Sequence, residues 1–297
     1  MSLDAHHHVW DLSAREQPWL ASHPGLVPLL RDFSVGDLRP LAAAAGITAT
    51  VVVQTLTEPG ETAELLALAA ADPLVVAVVG WADLTSPDLA DQLAALRELP
   101  GGPLLAGLRH PLLTEPDPGW LARPDVRRGL AVAGAAGLAF DLIAEPGQLA
   151  VAVAAAAAVP QTRFVLDHLG NAEPAPRPDP AWADAIRALA ALPNTACKLS
   201  GLLSEPAPGL ETAAGRGPGG AGSQPVAHLR PCYQAALDAF GPGRMMFGSD
   251  WPVCTLRASY AEVTGAARAL TAGLAQAEQA AIFGQTARRI YRISDRT

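Results

Sequence analysis

Three consecutive histidines lie near the start of the chain, in Asp4-Ala5-His6-His7-His8-Val9-Trp10. Near its other end stands Phe247-Gly248-Ser249-Asp250-Trp251-Pro252. Side chains alternate across a strand, so a strand here points His6 and His8 to one face and His7 to the other. Two imidazoles converging from one strand can hold a divalent cation or polarise a substrate oxygen. Asp250 follows Met245-Met246-Phe247, which reads as a short buried strand. If the first and last strands are neighbours in a closed barrel, the histidines and the carboxylate meet. The plainer readings are a tag remnant for the triplet and a helix N-cap for Asp250. A tag, however, is longer and does not run on into Val-Trp.

Other polar residues fall at the ends of apolar runs. His168 closes Arg163-Phe164-Val165-Leu166-Asp167-His168. With His6, His8 and Asp250 it makes a donor set suited to one zinc-type cation. Arg109 offers a fixed cationic fork for a carbonyl or carboxylate oxygen. Of 21 basic residues, all but Lys198 are arginine. Lys198 sits in Thr195-Ala196-Cys197-Lys198-Leu199-Ser200-Gly201, which reads as a buried strand running into a turn. An unpaired lysine is costly there, so it is a functional candidate more than a leftover surface residue. Gln54, Asp83, His110 and Asp141 share the strand-end register. Trp10, Trp81 and Trp251 follow strands and could wall a sugar site, although core packing is the commoner role for each. His23 and His228 fall in expected loops and carry no assignment.

These residues need a scaffold that gathers strand ends. Short apolar runs alternate with helical patterns along the chain. Strands are expected near 3–8, 50–54, 75–81, 104–110, 137–142, 163–168, 195–200 and 244–248. Helices are expected between them, with two more over 259–272 and 275–291. Gly46 and Gly241-Pro242-Gly243 supply helix stops. Continuous apolar strands alternating with helices mark a parallel sheet covered on both faces. Eight such units in 297 residues favour a closed (β/α)8 TIM barrel, whose C-terminal rim carries the site. An open dinucleotide-binding sheet is the runner-up, but no Gly-rich turn follows any strand. One domain over 1–297 is expected, with a flexible Gly/Pro/Ala-rich loop over 205–224 containing one helical turn near 209–213.

Composition narrows the function. Half the residues are hydrophobic and only 5% are aromatic, so the core is built from Ala, Val and Leu. A net charge of −8 without a basic stripe argues against nucleic acid. Three scattered cysteines lack metal-ligand spacing and fit free thiols in a reducing compartment. The Ala-rich run from Leu149 to Val159 is too short to cross a bilayer. A cytoplasmic protein without a membrane partner is expected, and a homo-oligomer is compatible with the sequence.

The Asp-Ala-His-His-His-Val-Trp opening, Leu-Asp-His-Leu-Gly, Lys-Leu-Ser-Gly and Phe-Gly-Ser-Asp-Trp-Pro, in this order, resemble the amidohydrolase superfamily. They are most similar to its sugar-lactonase branch, which includes L-fuconolactonase, L-rhamnonolactonase, sulfomuconolactone hydrolase and 2-pyrone-4,6-dicarboxylate lactonase. The resemblance runs from residue 4 to Tyr291. It departs from the family at Thr286-Ala287, where Asn-Ala is usual, a change expected to touch a helix and not the chemistry. The resemblance implies an amidohydrolase-type barrel that hydrolyses a lactone. It implies His6, His8, His168 and Asp250 as the site, with one zinc-type cation or none. Two metals are not expected, because the fourth strand ends in Arg109-His110 where a bridging lysine would stand.

On this reading Asp250 takes a proton from the attacking water. The oxyanion rests on His6/His8 and on Arg109 or His110, while Lys198 and His168 position the substrate. Gln54, His110, Trp10 and Trp251 are the expected substrate-binding residues. The substrate is a small-molecule lactone of a sugar acid, since only Arg109 is well placed for an anion. Loop arginines such as Arg177 or Arg216 could still reach in. The alternatives are a metal-dependent decarboxylase of the same superfamily, which usually opens with Glu-x-His, and a barrel that only binds its ligand.

Overall fold

The computed structural model describes residues 2–173, 175–201 and 224–294, with the backbone alone for 224–228. The expected 205–224 loop and its helical turn, Arg216 and the His228 side chain therefore lie outside the described residues. Eight parallel strands run in chain order: β1 (Ser2–His7), β2 (Ile47–Val53), β3 (Val75–Gly80), β4 (Leu105–Pro111), β5 (Ala139–Ile143), β6 (Arg163–Leu166), β7 (Thr195–Leu199) and β8 (Met245–Phe247). The segment after β8 closes the barrel against β1. Asp250 N–H donates to His6 O at 2.8 Å and His8 N–H to Trp251 O at 2.7 Å.

Helices α1 (Val35–Ala44), α2 (Pro59–Ala71), α3 (Leu89–Glu98), α4 (Pro124–Ala135), α5 (Leu149–Ala158), α6 (Pro180–Ala190), α7 (Gln224–Phe240) and α8 (Tyr260–Thr271) alternate with the strands and follow the last one. The helix expected over 275–291 is broken instead. It runs as α9 (Gln276–Ala280), a wide turn over Ala281–Gln285, and α10 (Thr286–Ile290). The turn lays Phe283 on Phe247 of β8, ring centroids 5.2 Å apart. Thr286, the departure noted above, donates its hydroxyl to Gly243 O at 3.2 Å and so ties α10 to the turn before β8.

Two apolar layers follow from strand alternation. Outward residues such as Val52, Leu108, Phe140, Phe164 and Phe247 pack under the helices. Most inward residues are small, among them Ala5, Ala49, Val51, Ala77, Ala139, Val165 and Ala196, with Leu3 and Met246 the larger ones. That economy of volume leaves room for the Tyr291 ring, which enters from the C-terminal segment and packs among them. A Cβ on Gly107 would already lie 3.5 Å from that ring.

β1 is not a regular strand. Its register with β2 shifts between Asp4 and His7, so Ala5 and His6 together oppose one residue of β2. Ala5 and His6 both face inward as a result, while Asp4 and His7 face the helix layer. Asp4 accepts from Ser249 N at 2.8 Å and from Tyr260 Oη at 3.0 Å, and His7 Nε2 lies 3.0 Å from Thr50 Oγ1.

Candidate active site

The barrel interior changes from apolar to charged just above Tyr291. Tyr291 Oη donates to Asp141, 2.9 and 2.8 Å from its two carboxylate oxygens. Lys198 Nζ stands 2.5 Å from Asp141 Oδ2, 3.0 Å from Asp167 Oδ1 and 2.9 Å from His6 Nδ1. Arg109 reaches across from β4. Its Nη1 is 3.3 Å from Asp167 Oδ2 and 3.3 Å from His6 Nε2, and its Nη2 donates to the Gln54 backbone oxygen and to Gln54 Oε1. Above this layer stand His8 and Asp250. His6 Nε2 and His8 Nε2 are 3.2 Å apart, and Asp250 Oδ1 is 3.8 and 3.6 Å from them. His168 completes the ring, its centroid 4.6 Å from that of His6.

Local backbone explains how these side chains arrive. Strand alternation carries Asp167 inward after the outward Leu166 and inward Val165, and would send His168 away. His168 instead adopts φ +53, opening a left-handed run through Leu169, Gly170 and Asn171 that turns the imidazole back over the barrel. Ser200 fixes it there: its Oγ is 2.9 Å from His168 Nδ1 and 3.2 Å from His168 N. Asp250 also has positive φ, +58, a conformation that costs of order 1–3 kcal/mol and clusters at functional sites.

The electrostatics follow from burial. Desolvation pushes His6, His8 and His168 below the ordinary imidazole range, so all three are neutral at pH 7. Burial raises Asp250, but His168, His8 and His6 outweigh it and hold the carboxyl well below the usual range. Burial pushes Asp141 up to about 6. Asp167, opposed by the same desolvation, is held down by Lys198 and His6. The two cations and three carboxylates of this cluster leave one negative charge.

That balance, and the donor spacing, fit one divalent cation. A tetrahedral zinc with bonds of about 2.0–2.1 Å spaces its ligand atoms by about 3.3 Å. The His6–His8–Asp250 separations of 3.2 to 3.8 Å are close to this. His8 Nδ1 donates to Val53 O at 2.7 Å, which leaves its Nε2 lone pair facing the cluster. His6, Asp167 and His168 form a second possible donor group, but the Lys198 ammonium already lies against its His6 and Asp167 atoms.

Several expected positions need correction. His110 points outward. It is stacked on Trp120 at 3.9 Å, with Nε2 3.0 Å from Glu115 Oε2 and Nδ1 accepting from Trp81, and so cannot share the oxyanion with Arg109. Trp10 and Trp251 pack edge-on against Phe33 in the outer core, and the Trp10 indole donates to Arg31 O, so neither walls a sugar site. Gln54 spends its amide on Arg109, donating to the Arg109 backbone oxygen at 3.2 Å. Lys198 is completely buried beneath His6 and does not face a substrate. Asp83 caps a local turn through Thr85, His23 caps a 3-10 turn, and Arg177 is exposed on its loop. The sequence gives no role to Asp167, Ser200 or Tyr291, and places Asp141 only by its strand-end register. Alternation from Val165 is the one sequence signal for Asp167.

The whole chain has recognisable relatives. The amidohydrolase family model matches residues 3–293. A protein of Burkholderia multivorans named L-fucono-1,5-lactonase is 39% identical, over 99% of this chain and 97% of its own. One of the same name from Burkholderia ambifaria is 33% identical, over 98% and 95%. The crystal structure of a B. multivorans amidohydrolase with bound zinc superposes with a TM-score of 0.87 at 37% identity, covering 99% of this chain and all of that one. Motifs, barrel and site geometry agree with this match: the chain belongs to the amidohydrolase family.

Proposed function

We propose that the protein opens a lactone ring by hydrolysis and that its substrate is the 1,5-lactone of a sugar acid, with L-fucono-1,5-lactone first. Lactone hydrolysis follows from the relatives over the full chain length. The observation that carries the chemistry is Asp250 Oδ1 facing His6 and His8 at the barrel mouth, with Arg109 Nη1 beside His6. Asp250, kept ionised, accepts a proton from the water that attacks the lactone carbonyl. Arg109 Nη1 and the imidazole edge of His6 face the position of the developing oxyanion. Collapse breaks the bond from the carbonyl carbon to the ring oxygen, and Asp250 returns its proton to that oxygen. His168, braced by Ser200, positions the substrate over the cluster. A divalent cation held by His6, His8 and Asp250 would polarise the carbonyl as a Lewis acid. Among the described residues, Arg109 is the one cation that stands beside His6 and Asp250 at the mouth, which favours a sugar lactone over a multiply anionic one.

The test is a pH-indicator assay on a panel of aldonolactones, with and without chelator. Ring opening releases a proton, decarboxylation consumes one, and a binder gives neither. Asp250→Asn should lower kcat/KM by at least 100-fold, about 2.7 kcal/mol of barrier. Activity within tenfold of wild type counts against the base role.

A further inference from the structure

We propose that Asp4 is a positioning residue: its carboxylate bridges the seam between β1 and the chain leaving β8, and so sets Asp250 against His6 and His8. Regular alternation along β1 would send Asp4 to the same face as His6 and His8, as a further side chain of the site. The bulge at Ala5-His6 turns it out to the helix layer instead, where it is completely buried. There one oxygen serves both sides of the seam. Oδ1 accepts from His6 N at 3.1 Å and from Ser249 N at 2.8 Å. Oδ2 accepts from Tyr260 Oη, at the start of α8, at 3.0 Å.

The two amides lie where the backbone leaves regular geometry to present the site. His6 is one of the two bulge residues. Its C=O accepts from Asp250 N across the seam at 2.8 Å, and Asp4 Oδ1 takes its N–H in place of the carbonyl a regular ladder would supply. Ser249 precedes Asp250, whose φ is +58. Held at its N–H by Asp4, Ser249 closes the turn around Asp250, its Oγ accepting from Trp251 N at 3.1 Å. The bulge that aims His6 and the turn that aims Asp250 therefore share one anchor atom. Only the role of Asp250 as base rests on the lactonase reading; the placement of the side chains does not. No change of charge is involved, only one acceptor at one reach.

The test compares Asp4→Asn with Asp4→Glu in the whole protein. Asparagine keeps an oxygen for the two amides and turns its own N–H to the Tyr260 hydroxyl, which can accept. Glutamate keeps the charge but is one methylene longer, so its carboxylate cannot meet both amides without parting the seam. Asp4→Asn should hold kcat within about fivefold, whereas Asp4→Glu should lose about 100-fold in kcat with a much smaller change in KM. Wild-type kcat in both variants, measured per folded molecule, assigns Asp4 to stability alone and overturns the proposal. A loss in Asp4→Asn as large as in Asp4→Glu makes charge and not reach the cause, and overturns it too. Backbone amide NMR gives a readout without substrate. The His6 and Ser249 amide protons should exchange slowly in wild type and in Asp4→Asn, and the Asp250 amide signal should stay in place in Asp4→Asn and move in Asp4→Glu. Fast exchange of the two protons in wild type, or an Asp250 signal that Asp4→Glu leaves unmoved, overturns the positioning. If Asp4→Glu does not fold, exchange in wild type and Asp4→Asn decides. If wild type opens no lactone, the lactonase reading fails and the amide signals still decide the role of Asp4.

Discussion

Arg109 owes its aim to what grips it. Gln54 and Asp167 hold the guanidinium on two sides, and Nη1 is left beside His6. Lysine cannot reproduce a fork held at several nitrogens. Arg109→Lys should therefore lower kcat by about 10²–10³, the usual cost of one oxyanion donor, with a smaller change in KM. A loss under tenfold in steady-state kinetics would remove Arg109 from the transition state. Asp167→Asn acts differently, because it takes a counter-charge from both Lys198 and Arg109. Breaking a buried ion pair costs about 3–5 kcal/mol, so the urea midpoint should fall accordingly. His6, His8, Asp250 and His168 were legible because their motifs stand out against apolar strands. Lys198 was legible as unusual but not in its place, since no sequence pattern shows that a buried lysine lies under a histidine instead of beside a substrate. Trp10 and Trp251 misled because an aromatic after a strand serves core and pocket alike.

At the scale of elements, the chain leaving β8 passes close against β1 at Gly248. A Cβ on Gly248 would stand 2.6 Å from His6 Cβ and 3.1 Å from Ser200 Cβ, the residue that braces His168. Gly248→Ala must then push both imidazoles. It should cost at least tenfold in kcat/KM while circular dichroism shows the fold retained. Full activity would mean that the strands part without moving His6. Gly201 has φ +65, and a Cβ there would lie 2.8 Å from His168 Cβ, so the same result is expected of Gly201→Ala. The eight strands and the main helices were legible from apolar runs and turn residues. The bulge at Ala5-His6, the left-handed turn at His168 and the break at 281–285 were not. Each is a backbone choice made by tertiary contacts (the β2 register, Ser200 and Phe247), and none of these is local in sequence.

The whole molecule carries opposed titrations in its interior. Burial pushes His7 down to about 3 from 6.5. Its share of stability is complete above pH 6.5 and drains as pH falls towards 3, because the unfolded chain binds the proton more readily. Asp4 and Asp141, pushed up to about 6 from 3.8 by burial, work the other way, and their share is lost as pH rises through 6. The His7 share is isolated by comparing wild type with His7→Gln at each pH. Between pH 6.5 and 5 the stability of wild type relative to the variant should fall by up to about 1.4 kcal/mol per pH unit. A constant difference in urea melts would show that His7 does not protonate on unfolding. The barrel architecture was legible as a whole, but its floor was not, because Tyr291 looks in sequence like the end of an ordinary helix. That floor has a consequence for synthesis. His6 is synthesised long before the residues that complete and underpin its surroundings, Asp250 and Tyr291. A nascent chain should stay inert until Asp250 and Tyr291 have emerged, with its site histidines already made and waiting for partners still inside the exit tunnel.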